Sequence, residues 1–378
     1  DADNNILNEQ VIVPSIPGLS SGNPLILDGM GDTLTASNSQ RSLAVLGFSN
    51  AKHVIARNFV IKTQGTASGV IFANSDSCGL VSNTILTDTT ATSSSVNGIV
   101  TSGSLSSAST ASLSKGLLID SNYVLGGYYG LRLYGDANSY SVGHTVRNNV
   151  FADFYFYGIY TYYQDGARLQ NNDISRPSRR TLTTFYGIYN LYFLRGEISG
   201  NRIHNGFATN PLGSSIAYGL FVSTSASPST QPTYIFNNLI HNINNGTGTL
   251  YGIYNTSSSN THWYHNTVIA DQTASTSGTV YGAYFLGTGT NNHFKNNIVS
   301  ISRGGSSTKY CIYYLNTSGM ISDNNVLHMG STTGSNALVY DGTAHTSLNS
   351  WRTANGGRFD MNSTDVNPLF TSTTSLPI

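Results

Sequence analysis

The chain repeats itself about every thirty residues. An apolar-x-x-Asn-x-apolar pattern recurs as VIARNFVI, GLVSNTIL, LIDSNYVL, TVRNNVFA, RLQNNDIS, ISGNRIH, IFNNLIH, WYHNTVIA, FKNNIVS and ISDNNVLH. Its asparagines are Asn58, Asn83, Asn122, Asn149, Asn172, Asn201, Asn238, Asn266, Asn297 and Asn325, nine intervals that average about 30 residues. A second pattern, aromatic-Gly-apolar, places glycines at Gly130, Gly158, Gly187, Gly219, Gly252 and Gly282, with earlier versions at Gly69 and Gly98 and with Cys311 in the glycine position of YCIYYL. From that position to the next asparagine is 14 residues in five of the repeats and up to 24 in the repeat that ends at Asn122. A constant half and a variable half therefore alternate, as they do when one side of a solenoid turn is packed and the other carries loops.

The repeats alternate with the period of a strand and lack an apolar stripe at helical spacing, which excludes ankyrin, tetratricopeptide and leucine-rich architectures. They are also too short for four-stranded propeller blades. Composition agrees: 39 Gly among 378 residues, many Ser, Thr and Asn, and 24 Tyr with 15 Phe describe a turn-rich all-β chain with a real core. The expected fold is an all-β parallel β-helix of about ten or more coils, one coil per repeat. As a single domain over 1–378, it would divide into first strands and cap at 1–42, repeated coils at 43–340 and a closing segment at 341–378.

Only 10% of residues are charged and the formal net charge is +0. With no basic run, nucleic acid is not an expected partner; with no long apolar stretch, membrane insertion is not expected either. Cys78 and Cys311 stand far apart without metal-ligand spacing and read as small buried residues. Neither a metal nor a cofactor is called for, since no calcium-loop pattern occurs.

The NN-I/V turns and YGI strands resemble the secreted right-handed parallel β-helix proteins of the pectin-lyase-like superfamily, in particular the large bacterial cell-surface and adhesin members. The resemblance covers nearly the whole chain. The end of the chain extends it: Ser347-Leu348-Asn349-Ser350-Trp351-Arg352, Gly356-Gly357 and Asp365-Val366-Asn367-Pro368-Leu369-Phe370 are similar to the short helix and DPLF segment that close such domains. In those relatives the chain commonly continues past this point, so the resemblance implies that a chain stopping at Ile378 is a module or processed piece of something longer. It also implies an extracellular or cell-surface location. It does not choose an activity, because the superfamily holds lyases, hydrolases, epimerases, tailspikes and non-catalytic adhesins.

In a stacked solenoid the repeated asparagines are expected inward, as a ladder that satisfies buried polar groups. Alternation along the YGI strands assigns Tyr129, Tyr157, Tyr186, Tyr218, Tyr251, Tyr281 and Tyr310 to the same inward face as the residue after each glycine. The opposite face then carries Arg132 followed by Tyr160, Tyr189, Phe221, Tyr254, Tyr284 and Tyr313. That aromatic column is the main candidate binding surface. Loops that fold over it, a protein contact, or the stacking of sugars are the three readings it allows.

Catalysis has less to build on. Glu9 and Glu197 are the only glutamates, and the superfamily's paired Asp-Asp, Gly-His-Gly and Arg-Ile-Lys hydrolase signatures are absent. No catalytic residue is assigned. An alternative site for an anionic sugar gathers Asp153, Asp165 and Asp173 with Arg168, Arg176, Arg179 and Arg180; a solvated basic loop beside acids is the plainer account of it. His204, His241 and His328 share one offset from the asparagine turn, and His262 and His265 flank Trp263 and Tyr264 without acidic partners nearby.

Two functions are consistent with these residues. One is a non-enzymatic extracellular structural or adhesive surface protein, whose partners are other copies of itself or other surface proteins, either assembling into a filament or array or serving as a module of a larger protein. Residues 6–13 are the strand expected to cap the rod or to pair with another copy. The other is a polysaccharide-binding or polysaccharide-degrading protein, a lyase or hydrolase.

Overall fold

In the computed structural model the chain is an all-β parallel β-solenoid of about 11 turns with one short helix, Leu348–Ala354. Residues 5–38 and 41–370 are described; the expectation for Ile378 falls outside them. The protein comprises two compact units, Asp1–Ser175 and Arg176–Ile378.

Each coil is built from three strands, one in each of three parallel sheets. In the Arg176–Ile378 unit, Leu250–Thr256, Thr261–Tyr264 and Thr267–Ala270 make one coil, and Val280–Leu286, Asn292–Lys295 and Ile298–Ile301 make the next. Like residues lie over like: Tyr251 pairs with Tyr281, His262 with His293 and Val268 with Val299. The Asp1–Ser175 unit repeats the plan, with Ser68–Ala73, Gly79–Val81 and Thr84–Leu86 below Asn97–Ser102, Leu118–Asp120 and Tyr123–Leu125. The variable half of the repeat, such as residues 103–117, forms the connections between the first and second sheets.

The turn from second to third sheet explains the recurring Asn-Asn. Its first residue adopts a left-handed conformation, with φ of 56° at Ser82, 59° at Ser121, 56° at Asn148 and 58° at Asn296. Asparagine tolerates that region better than other residues with a Cβ. The second residue points inward and is buried at Asn83, Asn122, Asn149 and Asn172 in one unit and at Asn201, Asn238, Asn266, Asn297 and Asn325 in the other. Each ladder amide works in both directions. Asn266 Nδ2 donates to Asn297 Oδ1 at 3.0 Å and to the Ile235 carbonyl at 2.9 Å, while Asn266 Oδ1 accepts from Asn238 Nδ2 at 2.9 Å and from the Asn238 backbone N–H at 3.2 Å. Asn238, Asn266 and Asn297 are thus each tied to the coils next to them.

One expected rung moves. Asn58 is exposed with φ of 56°, so it holds the left-handed position, and Phe59 stands where the ladder asparagine would be. The Phe59 N–H still donates to Asn83 Oδ1, at 3.0 Å.

The expected strand at residues 6–13 is two short strands, Ile6–Leu7 and Val11–Val13, which pair in parallel with Thr33–Leu34 and Leu46–Phe48 of the following coil. At the other end, helix Leu348–Ala354 is capped by Ser347, whose side chain accepts from the Ser350 N–H. It lays Trp351 into the core, stacked on Phe359 with ring centroids 5.3 Å apart. Asp360, fully buried, replaces the next rung of the ladder: its carboxylate accepts from Asn325 Nδ2, Ser322 Oγ, Ser363 Oγ and Trp351 Nε1. Residues 365–370, similar in sequence to a closing segment, are irregular and largely exposed. Both cysteines are free and buried.

Asn266→Ala leaves the buried Asn238 backbone N–H without its acceptor and breaks the side-chain ladder on both sides, and is expected to cost about 2 kcal/mol. Asn58→Gly keeps the left-handed turn and is expected to cost under about 0.5 kcal/mol. Denaturant midpoints of the two variants check the contrast; equal losses would remove the ladder's inferred role.

Candidate functional site

The first sheet breaks the simple alternation expected of its YGI strands. A Cβ placed on Gly252 would lie 2.4 Å from Val268 Cγ1 and 2.6 Å from the Gly282 carbonyl oxygen, so the glycine itself faces the core and the strands close up against it. Ile253, next in the chain, is fully buried as well. Two successive inward residues shift the phase, as a bulge does. The preceding tyrosine is thereby turned out to the same side as the residue two beyond the glycine. Tyr157, Tyr186, Tyr218, Tyr251, Tyr281 and Tyr310 are accordingly half-buried at the surface and not in an internal stack. Only Tyr129 among them is buried.

Two aromatic columns therefore stand side by side. In the Arg176–Ile378 unit the first runs Tyr186–Tyr218–Tyr251–Tyr281, with centroids 4.6, 4.8 and 4.9 Å apart and interplanar angles of 2°, 4° and 9°. The second runs Tyr189–Phe221–Tyr254–Tyr284–Tyr313, with separations of 4.4, 4.6, 5.1 and 4.6 Å. Between columns the rings are close to perpendicular: 84° for Tyr186 and Tyr189, 82° for Tyr251 and Tyr254. Coil spacing accounts for this herringbone. Strands stack about 4.8 Å apart, more than the ~3.5–4.0 Å optimum between carbons, so parallel rings slip and tilt, and the two columns tilt opposite ways.

The consequence is chemical. Each interior ring has another ring on both faces, so what solvent meets is ring edge and phenol hydroxyl. Loops do not close over the column, because Tyr160, Tyr189, Phe221, Tyr254, Tyr284 and Tyr313 are all partly exposed. Burial by neighbouring rings, and then the proximity of other phenols, pushes Tyr254 and Tyr281 up to about 12 and Tyr186 and Tyr251 higher still. In the Asp1–Ser175 unit the same face begins with Arg132. Its guanidinium lies 5.0 Å from the Tyr129 ring centroid and 4.6 Å from that of Tyr134, and it donates to the Ala108 carbonyl at 2.7 Å. Tyr160 meets Tyr157 edge-on at 5.1 Å.

The alternative anionic-sugar residues fall in different environments. Arg176 is buried, donates to the Gly206 and Thr183 carbonyls and sits over the rings of Phe185 and Phe207. Arg179 is buried too and donates to the Thr181 carbonyl, whereas Arg180 is exposed. Arg179 braces its own loop, and Arg176 ties that loop to Gly206. Asp153 is buried, while Asp165 and Asp173 are half-buried and Arg168 is exposed, all four in the Asp1–Ser175 unit.

A further cluster was not visible as such in the sequence. On the outer face of the second sheet, His262 and His293 stack with centroids 3.8 Å apart, Tyr264 Oη lies 2.6 Å from His293 Nδ1, and Lys295 follows Tyr264 in the next coil. Desolvation, then the neighbouring His293, pushes His262 down to about 4. Only the 31-residue separation that equals one coil could have signalled the pairing of His262 with His293. His204 and His241 also stack, at 5.3 Å. Among the described residues, no group of three or more His, Cys, Asp or Glu is placed to hold a metal ion. Among the described residues, no helix is long and apolar enough to cross a membrane.

No protein-family model matches the chain, and no curated protein does. Among solved structures, the chain is similar to the Dettilon tailspike protein gp208, with 15% identity and a TM-score of 0.50 over 90% of this chain and 61% of the tailspike. It is similar to the periplasmic alginate epimerase AlgG, with 14% identity and a TM-score of 0.50 over 89% of this chain and 77% of the epimerase. The surface adhesin PfbA of Streptococcus pneumoniae aligns with 14% identity and a TM-score of 0.47 over 78% of this chain and 75% of the adhesin. The chain thus spans about three fifths of the tailspike's length. At these identities the likeness establishes the solenoid and leaves the activity open.

Raised phenol pKa values make the tyrosine face stabilising below pH 10 and progressively less so as pH rises towards about 12, because the unfolded chain releases its phenolic protons first. Denaturant midpoints across pH 9 to about 12 are expected to fall steeply, and less steeply in Tyr254→Phe with Tyr281→Phe.

Proposed function

We propose that this protein is a non-enzymatic extracellular structural or adhesive surface protein, of the kind found among cell-surface members of the pectin-lyase-like superfamily, and that the tyrosine face of its Arg176–Ile378 unit is the contact surface. The observation that carries this reading is the herringbone itself. A sugar stacks on the open face of an aromatic ring, and here the interior faces are already occupied by Tyr218, Tyr251, Phe221, Tyr254 and their neighbours. A surface of ring edges and hydroxyls on rigid strands suits a protein partner, since tyrosine supplies large contact area with a polar tip at low entropic cost. A second copy of the chain is the partner we favour, because a net charge of +0 puts little repulsion between copies.

Purified protein is expected to form oligomers or fibres by light scattering and negative-stain microscopy. Tyr189→Ser with Tyr254→Ser is expected to weaken association by about tenfold or more. A clean monomer at high concentration sinks self-association.

One observation favours a second reading, a polysaccharide-binding or polysaccharide-degrading protein: the His262–His293 stack with Tyr264 and Lys295 puts cationic and proton-transferring groups on one face. A panel of uronate-containing and neutral polysaccharides, followed by absorbance of unsaturated product and by reducing ends, tests it. Turnover that disappears in His293→Ala would replace the first reading; neither turnover nor binding to any member of the panel would remove the second.

A further inference from the structure

We propose that the tyrosine face is a site of oxidative phenol coupling, at which a small one-electron oxidant of the peroxide class joins tyrosines of adjacent coils as dityrosine and staples coil to coil. The proposal is independent of what the face binds.

Three features of the Arg176–Ile378 unit carry it. First, phenols on adjacent coils are held in register at contact distance: Tyr186–Tyr218, Tyr218–Tyr251 and Tyr251–Tyr281 in one column, Tyr254–Tyr284 and Tyr284–Tyr313 in the other. A radical formed on any of them has a second phenol within about one ring's width, without diffusion of the chain. Second, the rings are half-exposed, so a small oxidant reaches their edges and the phenolic proton has water to go to. Third, the side chains that surrender an electron more readily are shut away: Cys78, Cys311, Trp263 and Trp351 are all buried, the two tryptophans completely. Oxidising equivalents that arrive at this surface therefore meet phenol first.

The chemistry balances with persulfate as the terminal acceptor. Each of two tyrosines loses one electron and one proton. The two radicals form a single C–C bond between carbons ortho to their hydroxyls, and rearomatisation restores both phenols. The two electrons cleave the O–O bond of one persulfate to give two sulfates, and the two protons pass to water. Peroxide would serve likewise, yielding two waters.

The columns also predict where coupling stops. Phe221 stands between Tyr189 and Tyr254 with rings 4.4 and 4.6 Å away, so those two phenols are not joined to each other. The same residue shows that phenylalanine fits a rung, which makes Tyr→Phe a mild probe.

The test uses the full chain, folded and dilute, illuminated with tris(bipyridyl)ruthenium and persulfate, then digested for mass spectrometry. Expected are peptides joined with loss of two hydrogens that carry Tyr251 with Tyr281 and Tyr254 with Tyr284, from a chain that still migrates as a monomer on a denaturing gel. Tyr281→Phe should abolish the first pair and keep the second; Tyr284→Phe should do the reverse. Tyr123 and Tyr234 are internal controls, because at 41% and 42% exposure they are more accessible than the ladder phenols yet stand outside it. Coupling concentrated at Tyr123 and Tyr234, coupling only between chains, or equal yields of the ladder pairs from urea-unfolded protein would each overturn the proposal.

Discussion

Parallel coils stack about 4.8 Å apart, and everything placed on one coil must tolerate its counterpart at that distance on the next. Aliphatic residues do so by packing, amides by donating one way and accepting the other, and aromatic rings by slipping and tilting. Like charges do not. The ladder asparagines from Asn201 to Asn325, the inward aliphatics such as Ile188, Leu220 and Ile253, and the herringbone of Tyr251 and Tyr254 are three solutions to one constraint. Charge is accordingly scarce, at 10% of residues. Arg303 and Lys309 are buried and held by uncharged oxygens: Arg303 donates to Asn245 Oδ1 and the Gly248 carbonyl, and Lys309 Nζ to the carbonyls of Gly305, Ser307 and Thr333.

The two turns of the repeat do different work. At the asparagine turn a left-handed residue lets the chain turn a corner within one position and aims the next side chain at the core, so a single dipeptide controls both corner and core polarity. In the first sheet, glycine creates a phase shift. Because Gly187, Gly219, Gly252 and Gly282 crowd the carbonyl of the residue above them, a Cβ there would collide with backbone, and the strand spends two successive residues on the core. The external tyrosine face is a by-product of that close approach.

How much of this was readable from residues alone differs from element to element. Period, strand type and the inward asparagines follow from recurrence, because stacked coils write the same residue at the same phase each time. Asn58 was misplaced by one position, since Asn-Phe and Ser-Asn are indistinguishable until the backbone shows which residue takes the positive φ. Strict alternation places the tyrosines before each glycine inward, a rule that a bulge suspends. Arg176 and Arg179 carry charges that read as surface; their carbonyl partners at Gly206, Thr183 and Thr181 come from loops with no pattern of their own. His293 lies 31 residues from His262 and becomes its stacking partner only through coil register.

By itself the sequence determined the solenoid, its coil length and the identity of its stacked columns, because those are properties of spacing, and spacing is conserved when a chain winds on itself. Only the tertiary structure decided which way each column faces and what lies across from it. Face depends on φ and ψ at a few glycines and asparagines, and lateral contact depends on how loops of unequal length bring the coils into register. The tyrosine face needed both: its rings are written in the sequence, and its place at the surface is set by backbone contacts between one coil and the next.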